Sequence, residues 1–445
     1  MTWTPEPGMP ARYGWNTPVT APGPDGGSML RNVRAIQRDP LTFLYSTWQK
    51  HGDVVQLPIP KPACYLVSSP QGARDILVNH HPSMSKRTLQ YTTLSLVTGD
   101  GLLTADTQAW RPRRRMLQPA FHKDLIELTD FHTQRAIDRL NDTWNGLSHE
   151  GPFVVDVDQA MMELALDVTG AALFGVDLSG DAHDITQATL QALHGVIIRA
   201  QNPLSLPLAF PTPNNRGMKK AIRKLDKAID AIIQLRSNDL LAPDAPIRDM
   251  LDVLLDSDLD VPLTREQIRD EIATFIVAGH ETVASGLTWA LHLLSRNIEV
   301  QQSLAGNRIT SSSVFDEALR LYPPAWVITR RTLEDIEVSG FHIPANSLVI
   351  VSPWLVHQHP QVWSNPQEFQ PERFADGAPH LGYLPFGQGP RMCIGKEMAV
   401  REGALVLSQL VQNWQFESLH SQDVAVEASV TLRPAGGMPL RILRR

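Results

Sequence analysis

The chain has 445 residues, 42% of them hydrophobic and 20% charged, an ordinary composition for a globular protein with a large core. Its formal charge of −7 provides no basic field for nucleic acid, and its two cysteines, Cys64 and Cys393, make neither a disulfide framework nor a complete thiolate zinc site. The N-terminus lacks a basic start followed by an apolar run, and no stretch approaches about 18 uninterrupted apolar residues, so neither a signal peptide nor a transmembrane helix is expected. With so few cysteines the expected compartment is the reducing cytoplasm, with a peripheral membrane contact left open.

Residues 1–27 are rich in proline and glycine and read as an extended lead-in. An apolar-spaced helix is predicted from Met29 through Leu44 and Trp48, then two strands in DVVQLPI and ACYLVSS. From Gln71 to about Asp260 the periodicity is mostly helical. It breaks at Asn202–Arg216, where Pro203, Pro207, Pro211 and Pro213 forbid a continuous helix. A long helix is predicted from Thr264 to Ser295, with Thr264 as N-cap and Gln267 three residues on. Beyond Glu271 it is apolar almost all round, so it should cross the core. A shorter helix over Ser313–Leu321 stops at Tyr322-Pro323-Pro324. Strand-like IEVSGFHIP and SLVIVSP follow, then a Pro-rich stretch, a cysteine loop, a helix over Lys396–Gln412, and a terminal hairpin in VTLRPAGGMPLRIL. With no repeat or mid-chain linker, the reading is a mainly α fold with small β-sheets (α+β), residues 28–445 forming one domain.

Four motifs stand out. In FIVAGHETVASGLTWALHLL, Gly279, His280, Glu281 and Thr282 interrupt an apolar helix, which suggests a local distortion. Packing explains that segment equally well. Glu317 and Arg320 are spaced i, i+3 on one helix and can pair, with Arg373 of FQPERF as a third partner. AWRPRRRML carries arginines at 111, 113, 114 and 115; the default is a solvated face, but Trp110 and Arg114, at i and i+4, can point at one anion while Arg111 and Arg115 face outward.

The fourth is FGQGPRMCIG, Phe386–Gly395. A thiolate metal ligand needs donors aimed at sulfur and shelter from water. Gly387, Gly389 and Gly395 allow close backbone approach, and the following helix N-terminus favours a thiolate. With no second ligand cysteine nearby, an iron–sulfur cluster is excluded and a single axial thiolate to haem iron remains. Phe386 would cover the sulfur and Arg391 would reach a propionate. Cys64, in the apolar strand, reads as plain core.

These stretches together resemble the cytochrome P450 family. FGQGPRMCIG fits its F-x-x-G-x-R-x-C-x-G haem loop at every fixed position, EALR its E-x-x-R helix, AGHET its oxygen-activating helix, FQPERF its meander and WRPRR its W-x-x-x-R helix, in the family's order over about residues 29–445. The resemblance implies haem b with Cys393 as proximal ligand. It implies Trp110, Arg114, Arg330 and Arg391 as propionate partners, and Glu317, Arg320 and Arg373 as a structural triad. Glu281 and Thr282 look like the acid–hydroxyl pair that delivers protons, with Ala278 and Gly279 leaving room for O2.

No residues remain for a flavin or iron–sulfur module, so a separate ferredoxin and ferredoxin reductase are implied, docking on Arg111, Arg113, Arg115, Lys396 and Arg401. The expected pocket wall comprises Thr98–Thr104, Asn202–Phe210, Thr274–Val277, Ala325–Ile328 and Val430–Leu432, largely apolar and without a charged clamp. GLLTADTQAW, VAGHETVASGLTW, EALRLYPPAWVITRR and VTLRPAGG look like bacterial P450s that hydroxylate the β-ionone ring of carotenoids. The expected protein is a monomeric monooxygenase. A fatty-acid, alkane or terpenoid hydroxylase, a peroxide-driven haem-thiolate enzyme, and a non-catalytic haem sensor are the alternatives.

Overall fold

The structure is a computed structural model that describes the chain except residues 1–11, 14–16, 25–28, 60, 181, 202–205, 238–246, 257–261 and 420–423. Its residues cluster into two compact units. One comprises Met1–Tyr91, Arg320–Glu368 and Ala378–Cys393; the other Thr92–Leu319, Phe369–Gly377 and Ile394–Arg445.

The first unit is built on a five-stranded sheet. Its spatial order is Val54–Leu57, Cys64–Val67, Leu348–Val351, Ile328–Thr332 and Met84–Ser85. The central pair is parallel, with Leu348 opposite Cys64, and the other pairs are antiparallel. Val54, Tyr65, Val67, Ile328, Val349 and Val351 supply the core on this sheet. Cys64 is fully buried there, and burial pushes its thiol up to about 12, which leaves it unreactive as expected. The strand Ile328–Thr332 was not expected from sequence: ITRRT lacks a continuous apolar face, and its pairing on both sides holds it.

The helix expected from Met29 to Trp48 is two helices, Met29–Arg38 and Pro40–His51. Pro40 cannot continue the first, and Asp39 caps the second by accepting from the Thr42 amide at 3.0 Å. Part of the lead-in is ordered on the sheet. Gln56 accepts from the Thr20 amide and donates to the Pro18 carbonyl, while the Thr20 hydroxyl meets the Tyr65 hydroxyl at 2.7 Å. Arg12–Tyr13 pairs with Thr17–Pro18; most of the remaining lead-in lies outside the described residues.

The second unit is helical around Arg265–Arg296. The expected capping box is present: the Gln267 amide donates to the Thr264 hydroxyl at 3.2 Å, and Gln267 Oε1 accepts from the Thr264 amide at 2.9 Å. The helix packs along Val157–Phe174, and the contact explains Gly279: a Cβ there would lie 3.0 Å from the Thr169 side chain. The helix stays α throughout, so the expected distortion reduces to a back-bond from the Thr282 hydroxyl to the Ala278 carbonyl, 2.8 Å.

The apolar break is shorter than expected. Helix Ala182–Gln201 precedes it and Pro213–Ser237 resumes with Pro213 in its first turn, where proline is tolerated. Asn215 pins the loop by donating to the carbonyls of Pro207 and Phe210. Residues 202–205 of the expected loop lie outside the described residues.

The tail is not a hairpin of its two halves. Leu432–Pro434 pairs back with Val426–Ala428, while Pro439–Arg444 joins a sheet with Trp414–Ser418 and Phe153–Asp156. Gly436 and Gly437, both at positive φ, turn the chain from one sheet to the other.

Candidate active site

In the first unit the cysteine loop closes on itself. The Cys393 amide donates to the Phe386 carbonyl at 2.9 Å, the Met392 amide to the Gly389 carbonyl at 3.0 Å, and the Gly387 amide to the Leu384 carbonyl at 3.0 Å. Cys393 is exposed, unlike Cys64. Gly389 cannot be replaced in this geometry: its φ is +72° and a Cβ would lie 2.4 Å from the Leu77 carbonyl oxygen. Gly395 behaves differently. It is the N-cap of Lys396–Asn413 with φ −91°, so its role is not positive-φ backbone. Arg391 ends the short 3-10 turn Gly389–Arg391 and is half-buried, as are Phe386 and Gly387.

Arg320 is fully buried in the same unit. It donates to the carbonyls of His357, Pro366 and Glu368 at 2.8–3.0 Å, and its guanidinium lies 5.2 Å over the Trp363 ring. His357 extends the network to the cysteine loop. Its Nε2 accepts from the Leu384 amide at 2.9 Å, so its Nδ1 carries the proton given to the Arg320 carbonyl, 3.0 Å. Sequence reasoning missed His357 because nothing in LVHQHP marks it as more than a loop residue.

Arg330 is buried on Ile328–Thr332, 6% exposed. Its guanidinium donates to the Thr329 carbonyl at 2.8 Å and approaches the Tyr91 hydroxyl at 3.5 Å. No carboxylate pairs with it among the described residues. A permanently charged buried group facing only neutral oxygens fits an anionic ligand.

The second unit carries Trp110 and Arg114 one turn apart on Thr107–Leu117, Trp110 buried in the main core and Arg114 half-buried. Arg111 and Arg115 are exposed, as expected. Arg113 is not. It turns inward to Glu271 at 3.5 Å and Asp100 at 3.7 Å, because Glu271 is buried and needs a cation. Arg401 also differs from expectation, being held by Asp130. Glu317, fully buried, accepts from the Gln370 amide at 2.9 Å and meets Arg373 Nε at 3.4 Å. Glu317 and Arg320 share the helix Ser311–Leu321, one turn apart.

On the core helix, Ala278, Gly279 and Thr282 are half-buried, whereas Glu271–Val277, His280–Glu281 and Val283–Leu294 are buried. His280 is neutral: burial lowers it to about 4, and its Nδ1 contacts the Ile276 carbonyl. Glu281 points elsewhere. Its Oε1 accepts from the Thr431 hydroxyl at 2.7 Å, while Oε2 is buried with no partner among the described residues. Burial raises its pKa, and the Thr431 bond and Arg433 only partly offset this. Of the expected pocket wall, Thr98–Thr104 packs on this helix through the Leu102 amide, which donates to Glu271 at 2.9 Å. Leu432 is buried beneath it, its carbonyl accepting from Ser285 and Trp289.

Within the first unit, an exposed thiol on a closed glycine loop and a buried guanidinium that no carboxylate pairs with among the described residues fit haem, and they point to the class: a haem-thiolate protein. The cytochrome P450 family model matches residues 21–307 and 311–438. Cyclooctatin synthase of Streptomyces melanosporofaciens is 32% identical over 98% of this chain and 97% of its own. LUTEIN DEFICIENT 5, a chloroplastic protein of Arabidopsis thaliana, is 27% identical over 93% and 76%. The crystal structure of CYP175A1 from Thermus thermophilus is similar with a TM-score of 0.79 and 30% identity, covering 94% of this chain and 98% of that one. The chain belongs to the cytochrome P450 family and is a monooxygenase of that family. No helix among the described residues is long and apolar enough to cross a membrane.

Proposed function

We propose that residues 28–445 act as a single haem b domain that inserts one oxygen atom from O2 into a C–H bond of a large apolar substrate, a carotenoid β-ionone ring in the first place. Cys393 would ligate the iron, and Arg330, Arg391, Arg114 and Trp110 would hold the propionates. Thiolate-ligated haem, when bound, supplies the oxygen activation that such a C–H bond requires. The chain's own residues orient substrate, exclude water and move protons. The observation that carries this reading is the core helix, where the Thr282 hydroxyl lies on the Ala278 carbonyl and the carboxyl of Glu281, the preceding residue, is buried: the two residue types that proton delivery needs stand next to each other in the chain. A peroxide-driven enzyme has no need of that pair.

The substrate reading rests on the largely apolar sequence of the expected pocket wall, Thr98–Thr104, Thr274–Val277 and Val430–Leu432 among it. LUTEIN DEFICIENT 5 bears a carotenoid's name and supports it. Terpenoid hydroxylation is the second reading, favoured by the likeness to cyclooctatin synthase and, at 28% identity, to pentalenene oxygenase of Streptomyces avermitilis. Electrons would come from a ferredoxin and its reductase, docking on a basic face that includes the exposed Arg111, Arg115 and Lys396. We place the protein in the cytoplasm as a monomer, with exposed Leu206 and Phe210 available to a membrane surface.

The test is spectral. The reduced carbon-monoxide complex should show the thiolate Soret band in the wild type and lose it in Cys393→Ala. Carotenoids, terpenoids, fatty acids and alkanes are then titrated for a low-spin to high-spin shift. Persistence of the band without Cys393 defeats the reading. A shift with terpenoids and none with carotenoids exchanges the two substrate readings.

A further inference from the structure

Behind the core helix lies a cavity of about 250 Å³, wholly within the second unit. Helix Val157–Phe174 contributes Asp158, helix Ala182–Gln201 contributes Leu190 and His194, and the core helix contributes Glu281. The ribbon Val426–Ala428/Leu432–Pro434 and the glycine turn after it close the remaining side, with Glu427, Ser429 and Arg433. His194 and Glu427 are exposed, while Glu281 is 2% exposed. The cavity therefore runs from solvent to a buried carboxyl. Its walls are polar enough, and its volume large enough, to hold several waters.

The walls are fixed by charge and by close backbone packing. Arg433 donates to Asp158 Oδ2, and Thr288 reaches Asp158 Oδ1 at 3.4 Å. Asp156 accepts from the Met438 amide at 2.8 Å, and a Cβ on Gly437 would lie 2.4 Å from Asp156, so the turn is seated tightly on the helix start. Thr431, on the same ribbon, occupies only one oxygen of Glu281. The other oxygen, Oε2, has no partner among the described residues, in a side chain that lines the cavity. A buried carboxyl oxygen left without a protein donor is satisfied by water or by a proton.

We infer that this cavity is the solvent port for proton delivery, and that Thr431 is a positioning residue that fixes Glu281 so that Oε2 exchanges protons with cavity water. The inference rests on the monooxygenase reading above. Each proton that Glu281 gives up toward the adjacent Thr282 is regained at Oε2 from a cavity water, and bulk solvent replenishes that water past His194 and Glu427. Arg433 and Asp158 keep the passage polar without blocking it, since each satisfies the other. The raised affinity of Glu281 for its proton, caused by burial, suits a group that must carry one.

The experiment uses the full-length, haem-loaded protein. The Glu281 carboxylic-acid band is assigned by infrared difference against Glu281→Gln at pH 5, and its deuterium shift is timed after rapid mixing with D2O. Ser429→Trp and Leu190→Trp fill the cavity from opposite walls, so one of them serves if the other misfolds. Both should slow the exchange at least tenfold, lower product formed per electron pair and leave KM unchanged. Thr431→Val should shift the band, as expected for a carboxyl that loses a hydrogen-bond donor, and Thr431→Ser should restore it. Exchange as fast in both plugged variants as in the wild type overturns the port. An unchanged band in Thr431→Val overturns the positioning role. Thr282→Ala separates the two levels of argument. If it leaves turnover fully coupled, the acid–hydroxyl reading itself fails; if it uncouples turnover while the plugs do nothing, only the port fails.

Discussion

Gly387 and Gly389 sit two residues apart in the cysteine loop, both at positive φ, +70° and +72°. Alanine at either pays the left-handed backbone penalty of about 1–2 kcal/mol. Their surroundings differ. A Cβ at 387 would make an ordinary contact with Ile328 at 3.7 Å, whereas one at 389 would lie 2.4 Å from the Leu77 carbonyl oxygen. That oxygen is backbone and cannot swing away, so the second site adds an overpacking cost of about 1–3 kcal/mol. Gly387→Ala should therefore lose about 1–2 kcal/mol and Gly389→Ala about 2–5 kcal/mol. Urea unfolding of the purified variants measures both, and the reduced carbon-monoxide spectrum reports the fraction of intact thiolate haem. Gly387→Asn should recover part of the loss, because asparagine tolerates this backbone region. A Gly389→Ala protein as stable as Gly387→Ala would refute the account of why the loop carries glycine there.

Three further outcomes follow from the same geometry. Arg330→Leu should leave the haem-free protein no less stable, since it removes a buried charge without a carboxylate. The loaded protein should release haem faster by about tenfold or more, the worth of a charge-assisted hydrogen bond; calorimetry of both forms and haem transfer to an acceptor protein check this. Glu271 is raised by burial from 4.5 to about 7, so the folded state holds more protons than the unfolded between those values, and its contribution to stability falls as pH rises through that window. Subtracting the Glu271→Gln profile from that of the wild type should expose a decline on the order of 3 kcal/mol from pH 4.5 to 7. His357→Phe orphans the Leu384 amide and should cost about 2–4 kcal/mol, with faster hydrogen exchange at that amide; His357→Gln should recover part of it.

The cysteine loop, the capped core helix and the E-x-x-R helix were legible because each is a local pattern whose geometry depends on a few neighbouring residues. The thiol's distinction from Cys64 was legible for the same reason: one has glycines around it, the other has strand residues. What failed was direction. A run of arginines on one helix carries no signal for which one turns inward, and Arg113 does so only because Glu271, 158 residues away, is buried opposite it. The tail misled in a similar way. VTLRPAGGMPLRIL alternates like a hairpin, but its halves find better partners at Val426–Ala428 and Trp414–Ser418 than in each other.

Glu281 shows how far local pattern reaches into the chemistry. The sequence places it beside Thr282, and the residue types alone suggest a proton-carrying pair. Adjacent positions on a helix, however, point about 100° apart, so the two side chains need not share surroundings. The structure separates them: Thr282 lies half-buried against its own helix, and Glu281 lies in the wall of a cavity whose other side is formed by the tail. The hydrogen bond that orients Glu281 comes from Thr431, 150 residues later. Substitutions in the tail ribbon should therefore alter proton supply without touching the motif that names the reaction, and changes in coupling that track the ribbon rather than the AGHET segment would carry that signature.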